Sequence, residues 1–277
     1  MVREAAAGFG YPEQWARFAK SRKPFLDRLP RLLELSGKML NRRWSTDSST
    51  ERVVYQTGNL CLEDFREILL LACNGFGFGA LKIVRGMFER LVTAQYLHLH
   101  PDVRNRYLNF HLISDYKLAR EMSTNGLGPE DFSEAGLAEK KRLRDSVKAD
   151  YMRPCPTKDC VRTIEGYSWS PLDVISMAQK CGPGVRELVA IAYYIPMSHT
   201  HPTVQSLLAR MESGENSITH DSSKSAEWSE RAVSVAHNMM LRVLELQLKQ
   251  FPELKELTPA FDQCVEDYYP SWNAKPS

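Results

Sequence analysis

Asn74–Arg90 reads NGFGFGALKIVRGMFER, and the fold turns on what its glycines are for. Gly75, Gly77 and Ala80 formally satisfy G-x-G-x-x-A, a variant of the dinucleotide-binding fingerprint. That motif needs a buried strand before it and a helix after it, so that a pyrophosphate rests on the helix N-terminus. The residues leading into it, FREILLLAC at Phe65–Cys73, instead carry helical spacing with Arg66 and Glu67 among them. A strand such as ILLLA would stand alone, without the repeating strand–helix–strand pattern. The glycines are therefore read as joinery. Asn74 and Gly75 end one helix, where a residue without Cβ turns left-handed at no steric cost. Gly79 and Gly86 share a face of the next helix and are expected to let a neighbouring helix come close.

Helical spacing continues outward from this stretch. Phe65, Ile68, Leu69 and Ala72 recur at threes and fours, and so do Leu81, Val84, Phe88, Leu91 and Ala94. Pro101 opens a further helix, with Val103, Tyr107, Phe110, Ile113 and Leu118 expected inward. Val233, Ala236, Met240, Val243, Leu244 and Leu248 mark a long amphipathic helix near the C-terminus. Apolar runs such as IAYYI (Ile191–Ile195) suit a strand or a buried helix equally well. No stretch alternates apolar and polar residues as a half-buried strand does. The expected class is all-α, with one helical-bundle domain over 51–277 and an N-terminal helical extension over 1–50. Turn-forming residues cluster at 45–50, 123–130, 151–171 and 213–225 without separating two cores. The first also supplies Ser and Thr caps for the helix that follows. The third is expected to be an irregular connection and the last the most disorder-like segment.

Composition narrows the class further. The 277 residues are 43% hydrophobic and 25% charged, as in an ordinary soluble globular chain, and the net charge is only +2. Charge alone therefore points to no polyanion. Lys140, Lys141, Arg142, Arg144 and Lys148 crowd one segment and Arg17–Arg43 is another basic run; such a face could meet nucleic acid, and the more ordinary reading is a solvated helix face. The N-terminus lacks a secretory profile, and no apolar run is long enough to span a membrane. The cysteines at 61, 73, 155, 160, 181 and 264 match neither a disulfide framework nor a zinc ribbon. A cytoplasmic protein without cofactor or metal is expected.

Two constellations carry chemistry. Arg85 and Glu89 stand one helical turn apart, either as a surface pair or as an inward pair that needs further partners. The segment YYIPMSHTHP (Tyr193–Pro202) gathers two tyrosines, Ser198, His199 and His201 between prolines that would hold it as a loop. Histidines there titrate near neutrality and could exchange protons. Weaker alternatives are a thiol–imidazole metal site from Cys155, Cys160, Cys181 and a histidine, a dimetal set from Glu63, Glu67, Glu89 and His111, and a hydrolytic triad begun by Ser198 and His201. None has the required spacing or turn.

LKIVRGMFERLVTAQYL (Leu81–Leu97) followed by YYIPMSHTHP resembles a widespread bacterial family of uncharacterised helical proteins, known by a domain-of-unknown-function label. The resemblance covers roughly residues 55 to 210. Arg85, Glu89, Ser198 and His201 match its pattern, and Tyr96, Tyr194 and His199 match more loosely. That family is in turn similar to the HEPN superfamily, whose RNA-cleaving members pair an Arg with a His a few residues on, often with a polar residue after the Arg. Arg104 or Arg106 with His111 fits that spacing, as does Arg231 with His237, and Asn105 follows Arg104. The resemblance implies a homodimer that acts on or binds RNA or a nucleotide, in the extreme a metal-independent ribonuclease of bacterial defence or stress response. His201 or His111 would be the general base, Arg85 or Arg104 would steady phosphate charge and Glu89 would orient the arginine. Tyr96, Tyr194, Ser198, His199 and Asn105 would bind substrate. The rival expectation is a non-catalytic interaction module in which the Arg/Glu/His cluster fixes helix register.

Overall fold

The helix entering the glycine stretch ends there by a hydrogen-bonded cap. Gly75 has φ of 85°, its N–H donates to the Ala72 carbonyl at 3.0 Å, and the Phe76 N–H donates to Leu71 at 2.9 Å. This is the Schellman arrangement, which satisfies carbonyls that a helix end leaves bare. At the other end of the same helix, Ser48 Oγ accepts from the Glu51 N–H at 3.3 Å. A helix, not a strand, therefore precedes Gly75, and the dinucleotide reading of the motif fails on its first requirement.

These elements belong to a computed structural model that describes residues 11–42, 48–126, 133–157, 160–201, 203–213, 218–220 and 224–273. The chain forms two compact units, one comprising residues up to Leu99 and from Val174 onward, the other His100–Asp173. The first unit opens with α1 (Pro12–Ser21), α2 (Lys23–Leu40), α3 (Ser49–Cys73) and α4 (Gly77–Leu99). The second holds α5 (Arg104–Thr124), α6 (Glu134–Val147), β1 (Met152–Pro154) and β2 (Thr163–Glu165). The chain re-enters the first unit through α7 (Val174–Lys180), α8 (Pro183–Arg186) and a π-helix at Val189–Tyr194. Then come α9 (Ile195–Thr200), α10 (Val204–Leu208), β3 (Met211–Ser213), β4 (Ile218–His220) and α11 (Lys224–Glu227), followed by α12 (Ser229–Gln250) and α13 (Thr258–Asn273).

The fold is all-α. Helices α3, α4 and α12 pack on one another at the centre of the first unit. Phe65 and Ile68 from α3, Val84 and Phe88 from α4, and Met240 and Leu244 from α12 are completely buried there. Each such side chain contributes roughly 1.5–3 kcal/mol of apolar burial. Gln247 crosses this core and donates to the Val54 carbonyl at 2.9 Å, tying α12 to α3. No helix of the described residues is long and apolar enough to cross a membrane.

The glycine that brings elements together is Gly77, not Gly79 or Gly86. A Cβ on Gly77 would collide with the Ser225 carbonyl and lie 2.6 Å from the Ser229 nitrogen, so the α11–α12 junction seats directly on the start of α4. On Gly79 a Cβ would meet the Leu71 side chain at an ordinary 3.6 Å, and on Gly86 only Arg90 of the same helix. Those two positions bring no neighbouring backbone close.

Strands are confined, among the described residues, to two antiparallel hairpins. Met152, Arg153 and Pro154 pair with Glu165, Ile164 and Thr163, inside the segment expected to be irregular. Met211–Ser213 pairs with Ile218–His220, so that β4 and the last residue of β3 fall in the segment expected to be most disorder-like. Three-residue strands are too short to show alternation. In the second unit, Glu165 of β2 accepts from Lys117 of α5 at 2.9 Å and from Arg144 of α6 at 2.7 Å. Burial opposes that carboxylate's charge, but the two cations hold its pKa below the usual value. The buried Tyr151 donates its hydroxyl to the Arg106 carbonyl at 2.6 Å. Leu118, expected inward, is exposed, while Ile113 and Ala119 are buried; the stripe on α5 drifts past position 118. Parts of the breaks at 45–50, 123–130, 151–171 and 213–225 lie outside the described residues.

Candidate functional site

Positions 78, 82, 85 and 89 of α4 follow one another at threes and fours, so they share a face. α9 packs along α4, and α9 begins where the π-helix ends. The Ile195 N–H bonds back to the Ala190 carbonyl, five residues earlier. This inserts an extra residue into the helical run, a distortion that recurs at functional sites. It brings Tyr193 over the Arg85 guanidinium, 4.9 Å from ring centroid to Arg85 Cζ. Tyr193 lies in turn on the buried Phe88, with ring centroids 6.3 Å apart.

Arg85 is the hub. Its Nε donates to Glu89 Oε1 at 2.9 Å, and its Nη1 lies 3.0 Å from His201 Nε2. A guanidinium only donates, so Nε2 must accept, which fixes His201 as the neutral ring with its proton on Nδ1. The cluster is reachable from solvent: the Arg85 and Glu89 side chains are 20% and 39% exposed, and His201 is exposed. An arginine, a carboxylate and an unprotonated imidazole nitrogen thus meet at one surface. The loop after α9 is held by Thr203. Its hydroxyl donates to the Ser198 carbonyl at 2.8 Å and accepts from the Ser206 N–H at 3.1 Å, capping α10.

The two histidines of the segment part company at the end of α9. His201 leaves the helix with extended backbone and reaches Arg85. His199 turns into the fold, with its ring centroid 4.5 Å from Phe78 and 5.3 Å from Trp228. It is 7% exposed. Burial, then the positive charges of Arg210 and Lys82, push its pKa below the ordinary histidine value. Arg210 itself stacks over Phe78 at 4.0 Å. Lys82, exposed on the same α4 face, adds a further cation one turn from Arg85. Arg85, Lys82 and Arg210 supply positive charge here and Glu89 negative charge.

The remaining candidates make other contacts. Ser198 commits its proton to the Ile195 carbonyl at 2.7 Å. Tyr194 is 49% exposed and meets Tyr193 edge-on at 5.7 Å. Tyr96 is buried in the core. Arg104, Asn105 and His111 all lie on α5 of the second unit. There Asn105 and His111 are exposed, and His111 Nδ1 donates to the Leu108 carbonyl at 2.6 Å. Among the described residues no three His, Cys, Asp or Glu side chains converge as metal ligands. Neither the Cys155/Cys160/Cys181 set nor the Glu63/Glu67/Glu89/His111 set therefore assembles. Pro202 lies outside the described residues.

Sequence reasoning passed over Lys82, Arg210 and the part Tyr193 plays. Lys82 was readable, three residues before Arg85 on the same helix. Arg210 carries no local signal, since it reaches Phe78 only through the fold. Choosing Tyr193 over Tyr194 requires knowing that a π-turn precedes α9.

No curated protein and no solved structure matches this chain. A family model described as a family of unknown function (DUF5677) matches residues 53–218, from early in α3 to the start of β4, and so spans the whole Arg85–Glu89–His201 cluster. The chain belongs to this family of unknown function, DUF5677.

Proposed function

We propose that the chain binds RNA or a nucleotide by its phosphate and cleaves RNA without a metal, as the HEPN-like reading of the sequence implies. One observation carries the reading: Arg85 joins Glu89 and a neutral His201 at a solvent-reachable surface. A guanidinium is the side chain best shaped for a phosphate. An imidazole nitrogen with its lone pair beside it can act as a proton acceptor.

The geometry suits a transfer of partners. With Nε held by Glu89, Arg85 keeps its orientation while Nη1 turns from His201 to a phosphate oxygen. His201 Nε2 is then free to take the proton of a ribose 2′-hydroxyl. The 2′-oxygen attacks the adjacent phosphorus, the 5′-oxygen leaves and takes a proton from water, and a cyclic phosphate remains. Arg85 and the nearby Lys82 offset the charge that builds on phosphorus.

Incubation with total RNA in the presence of EDTA is the test. The wild type and His111→Ala should cleave, and His201→Ala should lose roughly two orders of magnitude or more, as expected for removal of a general base. No cleavage by the wild type under any condition, or cleavage indifferent to His201→Ala, ends the proposal. A second reading rests on the Tyr193 stack: Arg85, held by Tyr193, Glu89 and His201, would be a clamp fastening α9 to α4. On that reading Arg85→Ala changes stability and nothing else.

A further inference from the structure

The cysteines divide sharply by environment. Cys61, Cys73, Cys181 and Cys264 are buried, and burial pushes every one of those thiols up, Cys73 and Cys181 to about 12 and Cys264 to about 11. Such thiols are inert, because the thiolate is the reactive form. Cys155 and Cys160 are free and half-buried in the second unit. They lie in the connection between β1 and β2. The Cys155 N–H donates to the Arg162 carbonyl at 2.9 Å, which extends the strand pairing by one rung, and the Cys160 N–H donates to Thr157 at 3.1 Å, which turns the chain back. That turn brings Cys160 within hydrogen-bonding reach of the Cys155 sulfur. The Thr157 side chain, its backbone N–H and then the Cys160 thiol all favour the Cys155 thiolate and hold its pKa below the ordinary thiol value.

We propose that Cys155 and Cys160 form a reversible dithiol site that takes a small disulfide such as oxidised glutathione as its co-substrate, with Cys155 as the attacking sulfur. The Cys155 thiolate attacks one sulfur of the small disulfide, breaks its S–S bond and releases one thiolate, which picks up the Cys155 proton. The Cys160 thiolate then attacks the Cys155 sulfur of the mixed disulfide and expels the second small thiol, which takes the Cys160 proton. The protein ends oxidised by two electrons and the small disulfide reduced to two thiols. Because both thiols sit on one short hairpin, the second step is intramolecular. The new bond closes the hairpin whose Glu165 is fastened to α5 and α6.

The test is thiol counting and peptide mapping on reduced full-length protein, native and treated with oxidised glutathione. Two of the six thiols should disappear, with no lasting glutathione adduct, and dithiothreitol should restore both. Trypsin cuts at Lys158, between the two cysteines, so the linkage appears as two peptides that stay joined until reduced. Cys160→Ser should trap glutathione on Cys155, and Cys155→Ser should react at Cys160 at least about 10-fold more slowly. Separate glutathione adducts on both cysteines, equal rates in the two variants, or first reaction at a buried cysteine would overturn the assignment.

Discussion

His201 and His237 stand in the same unit, and each is close to an arginine in one sense only. Arg231 and His237 have the spacing of a nuclease-like pair in sequence, yet six residues on an α-helix rotate through about 240°, so the two side chains leave different faces. Arg231 stacks over Trp228 at 4.9 Å. His237 is 3% exposed, its ring centroid 5.5 Å from Phe25, and its Nδ1 accepts from Trp272 Nε1 at 3.1 Å. It is a packed polar ring. Arg85 and His201 are 116 residues apart and meet at 3.0 Å. Spacing within one helix selects faces, whereas contact is made by the packing of α9 on α4.

The widest way to break this contrast is through stability. Phe25 is completely buried against His237 and Trp272. Phe25→Ala should cost about 3–5 kcal/mol in urea unfolding, the usual range for emptying such a site. Arg85→Ala at the open cluster should cost less than about 1 kcal/mol. Equal losses would mean that the two histidine environments are not packing against surface after all.

Acid sharpens the contrast next. Burial lowers the His237 pKa to about 4, with Asp267 opposing the shift. Well above pH 6.5 the ring is uncharged in both folded and unfolded chains. As pH falls through the ordinary histidine value near 6.5, the unfolded ring takes up a proton that the folded ring refuses. Stability attributable to this group therefore declines from about pH 6.5 and levels off below about pH 4, a total of roughly 3 kcal/mol. His237→Gln keeps an acceptor for Trp272 and removes the titration, so stability against pH should lose much of its slope in that window. An unchanged slope would place the ring in contact with water.

The same division governs what could be read from the residues beforehand. Helix α4 and its Arg85–Glu89 pair are local, set by spacing of threes and fours, and the cap at Gly75 is local chemistry of a left-handed residue. The face that Arg85 meets is not local. Gly77 rather than Gly79 carries the close approach because Ser225 and Ser229 arrive there from far along the chain. Tyr193 rather than Tyr194 lies on Arg85 because a π-turn adds one residue. Arg104 and His111, a pair read from spacing alone, both lie on α5 of the second unit.

The smallest effect is the most specific. A double-mutant cycle of Arg85→Ala and His201→Ala, read by unfolding free energy, isolates the bond between them from everything else each side chain does. The expected coupling at mildly alkaline pH is on the order of 0.5 kcal/mol, as for an exposed charged hydrogen bond. Its sign in acid is the informative part. Nε2 can accept from the guanidinium only while it has a lone pair, so once the imidazole is protonated two cations face each other. The coupling should then vanish or turn repulsive. A coupling that persists unchanged in acid would mean that His201 touches Arg85 by packing alone, and its nitrogen would not be the free base that the proposed cleavage requires.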